Sequence, residues 1–417
     1  MPHLVLFFLC ILFLLPTVQA QEVDSNKLVI KPVLAMQMWS TYTTDQRLYN
    51  ADNQQYEAVD NRLNFLLHRS RIGLKGSYGS QWAYDFTGSL DFVGQDVLAG
   101  TVGGTNNSAS PRFRIWNADV QYKAFKQSEG LYFSMGYNTP QLSRESITSP
   151  FSVNSFEKAW SQNYIRRHVT GTGPGRIIGL NIGGLTDTET TQFALNYDVG
   201  IYNPRYTDFG GNSSGIEHNV LLTYRLGIHF GDPEFTKYSR GHKFNYKGQR
   251  KGITLAMSGS YEGSTDVRPK NTSFGVDLLA NFGDFNLAGE WMQLDRDRDQ
   301  FQSTASTGFI RLGYYTEVEQ KGLEPVIAYV FFSGPTDLAE QTEALALGAF
   351  SGTDNYLELT LNYYISAKSR LSLSYTLRNG DAGDADPTTV LNNYFQQDGV
   401  GAINKGDYLG FGLLFTL

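Results

Sequence analysis

Along residues 192–201 every second side chain is apolar: Phe193, Leu195, Tyr197, Val199 and Ile201 alternate with Gln192, Ala194, Asn196, Asp198 and Gly200. The same period runs through Leu357, Leu359, Leu361, Tyr363 and Ile365 against Glu358, Thr360, Asn362 and Tyr364, and through Leu371, Leu373, Tyr375 and Leu377 against Arg370, Ser372, Ser374 and Arg378. Successive side chains of a strand point to opposite faces, so each run predicts a β-strand with one oily and one wet face. About sixteen such strands are predicted. They cover residues 28–42, 62–78, 82–94, 111–125, 131–138, 176–184, 192–203, 217–230, 252–262, 272–282, 285–295, 305–318, 323–333, 355–366, 370–379 and 407–417.

The connections carry a second pattern. Residues 43–61 are followed by a tight turn at Gly79, residues 95–110 by one near Gln127 to Gly130, and residues 139–175 by one near Leu185 to Thr191. A β-sandwich has no reason to alternate long and short links; a membrane barrel does, with loops on one rim and turns on the other. The pattern puts both termini on the short-turn side. Residues 231–251, rich in Lys and Arg, break it by being long where a turn is due. In hydrocarbon every backbone N–H and C=O must pair within the protein, which strands achieve only by closing on themselves. The fold class predicted is therefore all-β, a 16-stranded antiparallel transmembrane β-barrel with long extracellular loops and short periplasmic turns. A mean hydropathy of −0.31 suits a chain in which only alternate residues meet lipid.

Composition sharpens this. The chain has 417 residues, 14% aromatic and 18% charged, and a net charge of −7. No nucleic-acid partner is expected of so acidic a chain. Residues 1–20 read as a signal peptide: apolar from Leu4 to Leu15, broken at Pro16, and cleaved after Val18-Gln19-Ala20. The remaining residues 21–417 form the barrel domain, exported to a bacterial outer membrane and in contact with its lipid. The sole cysteine, Cys10, lies in the leader, so disulfides are excluded. Tyr42, Tyr78, Trp82, Trp116, Tyr122, Tyr132, Tyr137, Trp160, Tyr202, Tyr206, Tyr224, Trp291 and Tyr314 fall mostly near strand ends, as interfacial girdles would. The last strand, with Leu409, Phe411, Leu413, Phe415 and Leu417 on one face, resembles the terminal signal of outer-membrane proteins.

A sixteen-stranded lumen is wide enough for water. In "HRSRIGLKG" (68–76), Arg69, Arg71 and Lys75 then face it while Ile72 and Leu74 face lipid. The same alternation places Asp119, Gln121, Lys123, Asp198, Arg225, Asp277, Glu290, Arg311, Glu317, Glu358, Arg370 and Arg378 inside, a wall of mixed sign. Of these, Arg69, Arg71, Lys75, Lys123, Arg225 and Arg311 are the pore-lining candidates for anion selectivity.

"FLLHRSRIGLKGSYGSQWAYDF" (65–86), "GYNTPQLSRESITS" (136–149), "GRIIGLNIGG" (175–184), "NYDVGIYNP" (196–204), "GEWMQL" (289–294) and "LEPVIAY" (323–329), in that order, resemble the phosphate-selective porins O and P. The resemblance implies an outer-membrane porin, normally a homotrimer, that passes anions such as phosphate beside basic residues on the wall and on an inward-folded third loop. It makes Arg144, Lys158, Arg166, Arg167 and Arg176, the arginine before "IIGL", constriction-loop candidates; within residues 139–175 the four other bases against Glu145 and Glu157 balance at +2. Where that family's strand tends to begin with two arginines, this one reads His68-Arg69. The facing carboxylates Asp198, Asp277, Glu290 and Glu358 weigh against phosphate specificity.

Other motifs read as structure. "GTGPGR" (171–176) lacks the Lys-Ser/Thr ending of a phosphate loop and is expected to be a hinge between loop and strand. The six histidines show no metal spacing, and no cofactor, metal or catalytic residue is expected. "DRDRDQ" (295–300) and "NGDAGDADP" (379–387) are expected to be solvated loops. The expected function is passive diffusion of small hydrophilic solutes, with anions favoured. A non-selective channel, an outer-membrane lipase or protease, and a soluble β-module are the competing readings.

Overall fold

A computed structural model describes residues 27–100, 111–186, 193–206, 213–397 and 400–417. The signal-peptide prediction for residues 1–20 lies outside the described residues. Sixteen strands run in chain order around the barrel. The first half comprises β1 (Leu28–Thr43), β2 (Arg62–Tyr78), β3 (Trp82–Ser89), β4 (Arg114–Lys123), β5 (Tyr132–Asn138), β6 (Ile177–Leu185), β7 (Phe193–Tyr202) and β8 (Leu221–Gly231). The second comprises β9 (Lys251–Glu262), β10 (Lys270–Phe282), β11 (Phe285–Arg298), β12 (Phe301–Tyr314, continued by Thr316–Val318), β13 (Lys321–Ser333), β14 (Thr353–Ser366), β15 (Ser369–Asp381) and β16 (Tyr408–Thr416). Each pairs antiparallel with its neighbours. β1 closes the sheet on β16, from Ala35↔Thr416 to Thr43↔Tyr408.

All sixteen fall on the predicted runs. β3 stops at Ser89 rather than 94 because Leu90 and Asp91 leave the ladder, although Val93 still bridges Leu67. Short turns join strands at one rim: Gly79 and Gly283 take positive φ (both 61°), and Glu319-Gln320 (49° and 65°) make a turn of the primed type that suits twisted hairpins. At the other rim the alternation fails once. "DRDRDQ" is not a loop: Asp295 and Asp297 lie on β11, and only Asp299-Gln300, with Asp299 at φ 55°, turns the chain into β12.

Outward side chains are apolar and exposed, including Leu359, Leu361, Leu373, Tyr375, Leu409 and Phe411. Tyr42, Tyr78, Trp82, Tyr206, Tyr224, Trp291 and Tyr314 are exposed, as girdle residues should be. Trp116, Tyr132, Trp160 and Tyr202 are not girdle residues. The last three are buried, and Trp116 and Trp160 lie 3.5–3.6 Å beneath guanidinium groups of the interior. An aromatic face attracts cations, and the lumen supplies them.

The interior is only partly hollow. Among the described residues three α-helices sit in the long loops: α1 (Arg144–Ile147), α2 (Ser161–Thr170) and α3 (Leu338–Ala346). The loop bearing α1 and α2 folds into the barrel. Its Val153, Phe156, Ala159 and Trp160 form one apolar cluster with Trp39, Leu279, Phe309, Val330, Tyr356 and Tyr408 from the wall and Phe244 from the opposite rim. The expected water-filled lumen is thus displaced to one side.

Leu359 stands mid-strand on β14 and is 45% exposed. Leu359→Lys is expected to destabilise the barrel by about 2–4 kcal/mol if that position meets the bilayer midplane. Urea unfolding in phospholipid vesicles measures the loss.

Candidate functional site

Two β-bulges build the site. Opposite β1, Gln37 pairs with Arg69 but Met38 pairs with Leu67, so His68 is the extra residue. Between β3 and β4, Thr87 pairs with Asn117 but Gly88 with Ile115, so Trp116 is extra. A bulge puts two consecutive side chains on one face and reverses the parity beyond it. His68 is therefore fully buried beside Arg69, while Phe65 and Leu63 above it face outward. Unbroken alternation would put His68 on the lipid face with Ile72 and Leu74; the bulge turns it inward. Trp116 likewise turns inward next to Asn117.

The long loop 139–176 enters at Asn138, where β5 ends. Ser143 caps α1 by accepting from Ser146 N (3.2 Å). Gly171, at φ 74°, ends α2 in the left-handed conformation. The carbonyl end of α2 meets two cations: Arg268, from the loop between β9 and β10, donates to Val169 O (3.2 Å), and Arg296 of β11 to His168 O (3.4 Å), a favourable charge for a helix C-terminus.

Carboxylates of the β8–β15 wall hold the rest. Asp277 accepts from Arg144 Nε (2.6 Å) and from Arg225 Nη2 (3.0 Å). Glu290 accepts from Ser143 Oγ (2.9 Å), and Glu358 from the backbone N–H of Phe156 (2.8 Å). Glu324 accepts from Asn154 (2.9 Å), and Asp354 from Tyr164 Oη (2.7 Å). From the loop side, Glu145 pairs with Arg311 (3.0 Å). Phe156 stacks on Trp39 (4.2 Å between centroids), which stacks on His68 (3.4 Å). Gly410 and Gly412 make room for the ring, since a Cβ there would lie 2.6 and 2.8 Å from it.

What remains open lies against β1–β5. One cavity of about 570 Å³, toward the short-turn rim, is lined by Arg71, Lys75, Asp85, Asp119, Lys158, Arg176 and Arg240 among others. A second, of about 930 Å³, is lined by Asp91, Arg112, Arg114, Glu157, Trp160, Arg167 and Asn393, and reaches Tyr137 and Ile178 where the loop leaves the wall. Arg69, Trp116 and Arg166 line both, so they form the neck between them. Arg71 and Arg176 lie 3.6 and 3.5 Å from the Trp116 ring centre.

The acids along this path are paired. Asp85 pairs with Lys75 (3.0 Å), Asp91 with Arg71 (2.7 Å), Asp119 with Arg240, and Glu157 with both Arg69 and His68 (2.5 Å each). Burial opposes ionisation of Glu157, but Arg69 and His68 overcome it and hold the carboxyl at about 2. By contrast Lys158, Arg166 and Arg176 form no ion pair among the described residues. Lys158 donates to Thr148 O (2.7 Å), Arg166 to Ser146 O (2.7 Å), and Arg176 to Asn117 (3.0 Å) and Pro174 O (2.6 Å). Burial and the neighbouring Arg166 push Lys158 well below the ordinary lysine range, and burial with Arg69 lowers Arg166.

Of the sequence candidates, Arg69, Arg71, Lys158, Arg166 and Arg176 converge at or beside the neck. Lys75 lies below it and Arg167 above. Lys123 pairs with Glu129 (2.5 Å), near the short-turn rim. Arg144, Arg225 and Arg311 end in buried ion pairs and anchor the loop rather than line the open space. Asp198, Asp277, Glu290 and Glu358 also leave the path, since each is hydrogen-bonded to an inserted segment. His68 and Trp116 escaped sequence reasoning because a bulge has no signature in a period-two pattern.

Arg144 is fully buried between Glu234 and Asp277. Arg144→Ala leaves both acids without this partner and is expected to cost about 3–5 kcal/mol, read as a lowered thermal midpoint in detergent.

No protein-family model matches the sequence, and no curated protein sequence matches it. Solved structures match the fold. OmpF of Salmonella typhi, in complex with daunomycin, aligns with TM-score 0.56 and 11% identity over 95% of this chain and 100% of that one. An anion-selective porin from Comamonas acidovorans aligns with TM-score 0.55 and 11% identity over 94% and 100%. OprB of Pseudomonas putida aligns with TM-score 0.55 and 9% identity over 93% and 94%. At such identities the likeness is one of architecture: this chain folds as a porin-type barrel.

Proposed function

We propose that the protein is an outer-membrane porin through which small hydrophilic solutes diffuse passively, with anions such as phosphate preferred. The observation that carries this is the charge at the neck. Three cations of the inserted loop, Lys158, Arg166 and Arg176, make no ion pair among the described residues, while the carboxylates lining the same space are each matched by a base. Two unit charges 4 Å apart at an effective dielectric near 20 interact by about 4 kcal/mol. That is enough to draw an anion into a wet neck, and hydration lets it leave again, as conduction requires.

The anion-selective porin from Comamonas acidovorans shares the architecture, and phosphate is carried over from the sequence resemblance. The lipid-facing aromatics support an outer-membrane location. The homotrimer is also carried over from the resemblance.

Replacing Lys158, Arg166 and Arg176 together by Gln is expected to move the zero-current potential in a salt gradient across a planar bilayer toward the cation side. An unmoved potential rules out these side chains as the selectivity element.

Lys158 also sets a pH dependence. A lysine whose proton affinity is lowered discharges earlier as pH rises, so anion preference is expected to weaken with rising pH already below the ordinary lysine range. Lys158→Met should start from a weaker preference and flatten the curve; the same reversal-potential measurement at several pH values decides it.

A further inference from the structure

Residues 232–250 join β8 to β9 at the short-turn rim, and they fold upward into the barrel instead of turning back at once. The segment crosses much of the mouth. Tyr238 donates through its hydroxyl to Asp198 of β7 and through its backbone N–H to Glu129 (2.9 Å), and Arg240 pairs with Asp119 of β4. On the far side Lys247 lies 4.4 Å from the ring centre of Tyr364 on β14. Between these ends Glu234 pairs with Arg144 of the inserted loop (2.7 Å), and Phe244, fully buried, packs on Phe309. Two segments from opposite rims therefore meet inside one barrel. A strand-to-strand turn needs about two residues; the remaining length here is spent spanning the lumen.

The tip, Tyr238–Gly241, lines the lower cavity opposite Val33–Ala35 of β1. We propose that this turn is a second constriction, which sets the size limit of the channel at the short-turn rim. This inference rests on the lumen being a diffusion path. Solute that has passed the neck leaves between the tip and β1, so the width there depends on what holds the tip: the side-chain contacts of Tyr238 with Asp198 and of Arg240 with Asp119, beside the backbone bond from Tyr238 to Glu129.

The test records single channels in planar bilayers. In a chain whose only cysteine, Cys10, is replaced by Ser, the variant Ser239→Cys is treated from the short-turn side with a negatively charged methanethiosulfonate. Conductance is expected to fall by about half or more, as for added bulk and charge in a narrow passage, and the cysteine-free parent to be unaffected. Tyr238→Phe combined with Arg240→Ala removes both side-chain attachments, loosens the tip and is expected to raise conductance and admit larger neutral polymers. Full labelling, confirmed by mass, without a change in current overturns the inference, as does a thiol introduced by Ser239→Cys that the reagent never modifies, or a double variant with the parent's conductance and cut-off. A parent that never conducts defeats the porin reading itself, which separates the two failures.

Discussion

A carboxylate taken out of bulk water must be paired or hydrogen-bonded, because an isolated buried charge costs several kcal/mol. Here the β8–β15 wall turns Asp277, Glu290, Glu324, Asp354 and Glu358 into the barrel. Each is met by a group from loop 139–176: Arg144, Ser143, Asn154, Tyr164 and the N–H of Phe156. Satisfying those acids pulls the loop to one side of the lumen. The apolar contacts of Phe156 and Trp160 with the wall follow from that placement and fix it, with Phe244 of the opposite rim joining the same cluster.

The same pairing decides the character of the open side. A lumen whose total charge is mixed becomes segregated, acids consumed beneath the loop and cations left along β1–β5. Loop 139–176 thus does two things with one fold: its anchored side neutralises the acidic wall, and its free side presents Lys158, Arg166 and Arg176 to the neck. The two bulges complete the neck from the opposite wall. At His68 a bulge brings two bases onto Glu157, and at Trp116 it brings in an aromatic face on which Arg71 and Arg176 rest.

Much of this was legible beforehand for a simple reason. Lipid outside and water inside impose opposite demands on neighbouring residues, so strands such as Phe193–Tyr202 announce themselves, and sixteen of them with alternating links imply closure. The inward direction of Arg69, Arg71, Arg225 and Asp277 was fixed by parity alone. What parity could not give was the partner of each group. Arg225 and Arg71 look alike in the sequence, yet one ends on Asp277 beneath the loop and the other on Asp91 beside the open cavity. The unusual length of residues 231–251 was visible too, but nothing in a linear pattern says that a long turn folds inward.

The sequence by itself thus determined the barrel, its strand number, its lipid face and the basic strand Arg69–Lys75, because these depend on contact between single residues and solvent. Only the tertiary structure decided which half of the lumen is filled, which charges cancel, and that His68 and Trp116 point inward. Those outcomes depend on encounters between residues as far apart as Phe156 and Glu358, and on register shifts of one residue between neighbouring strands, neither of which leaves a periodic trace in the chain.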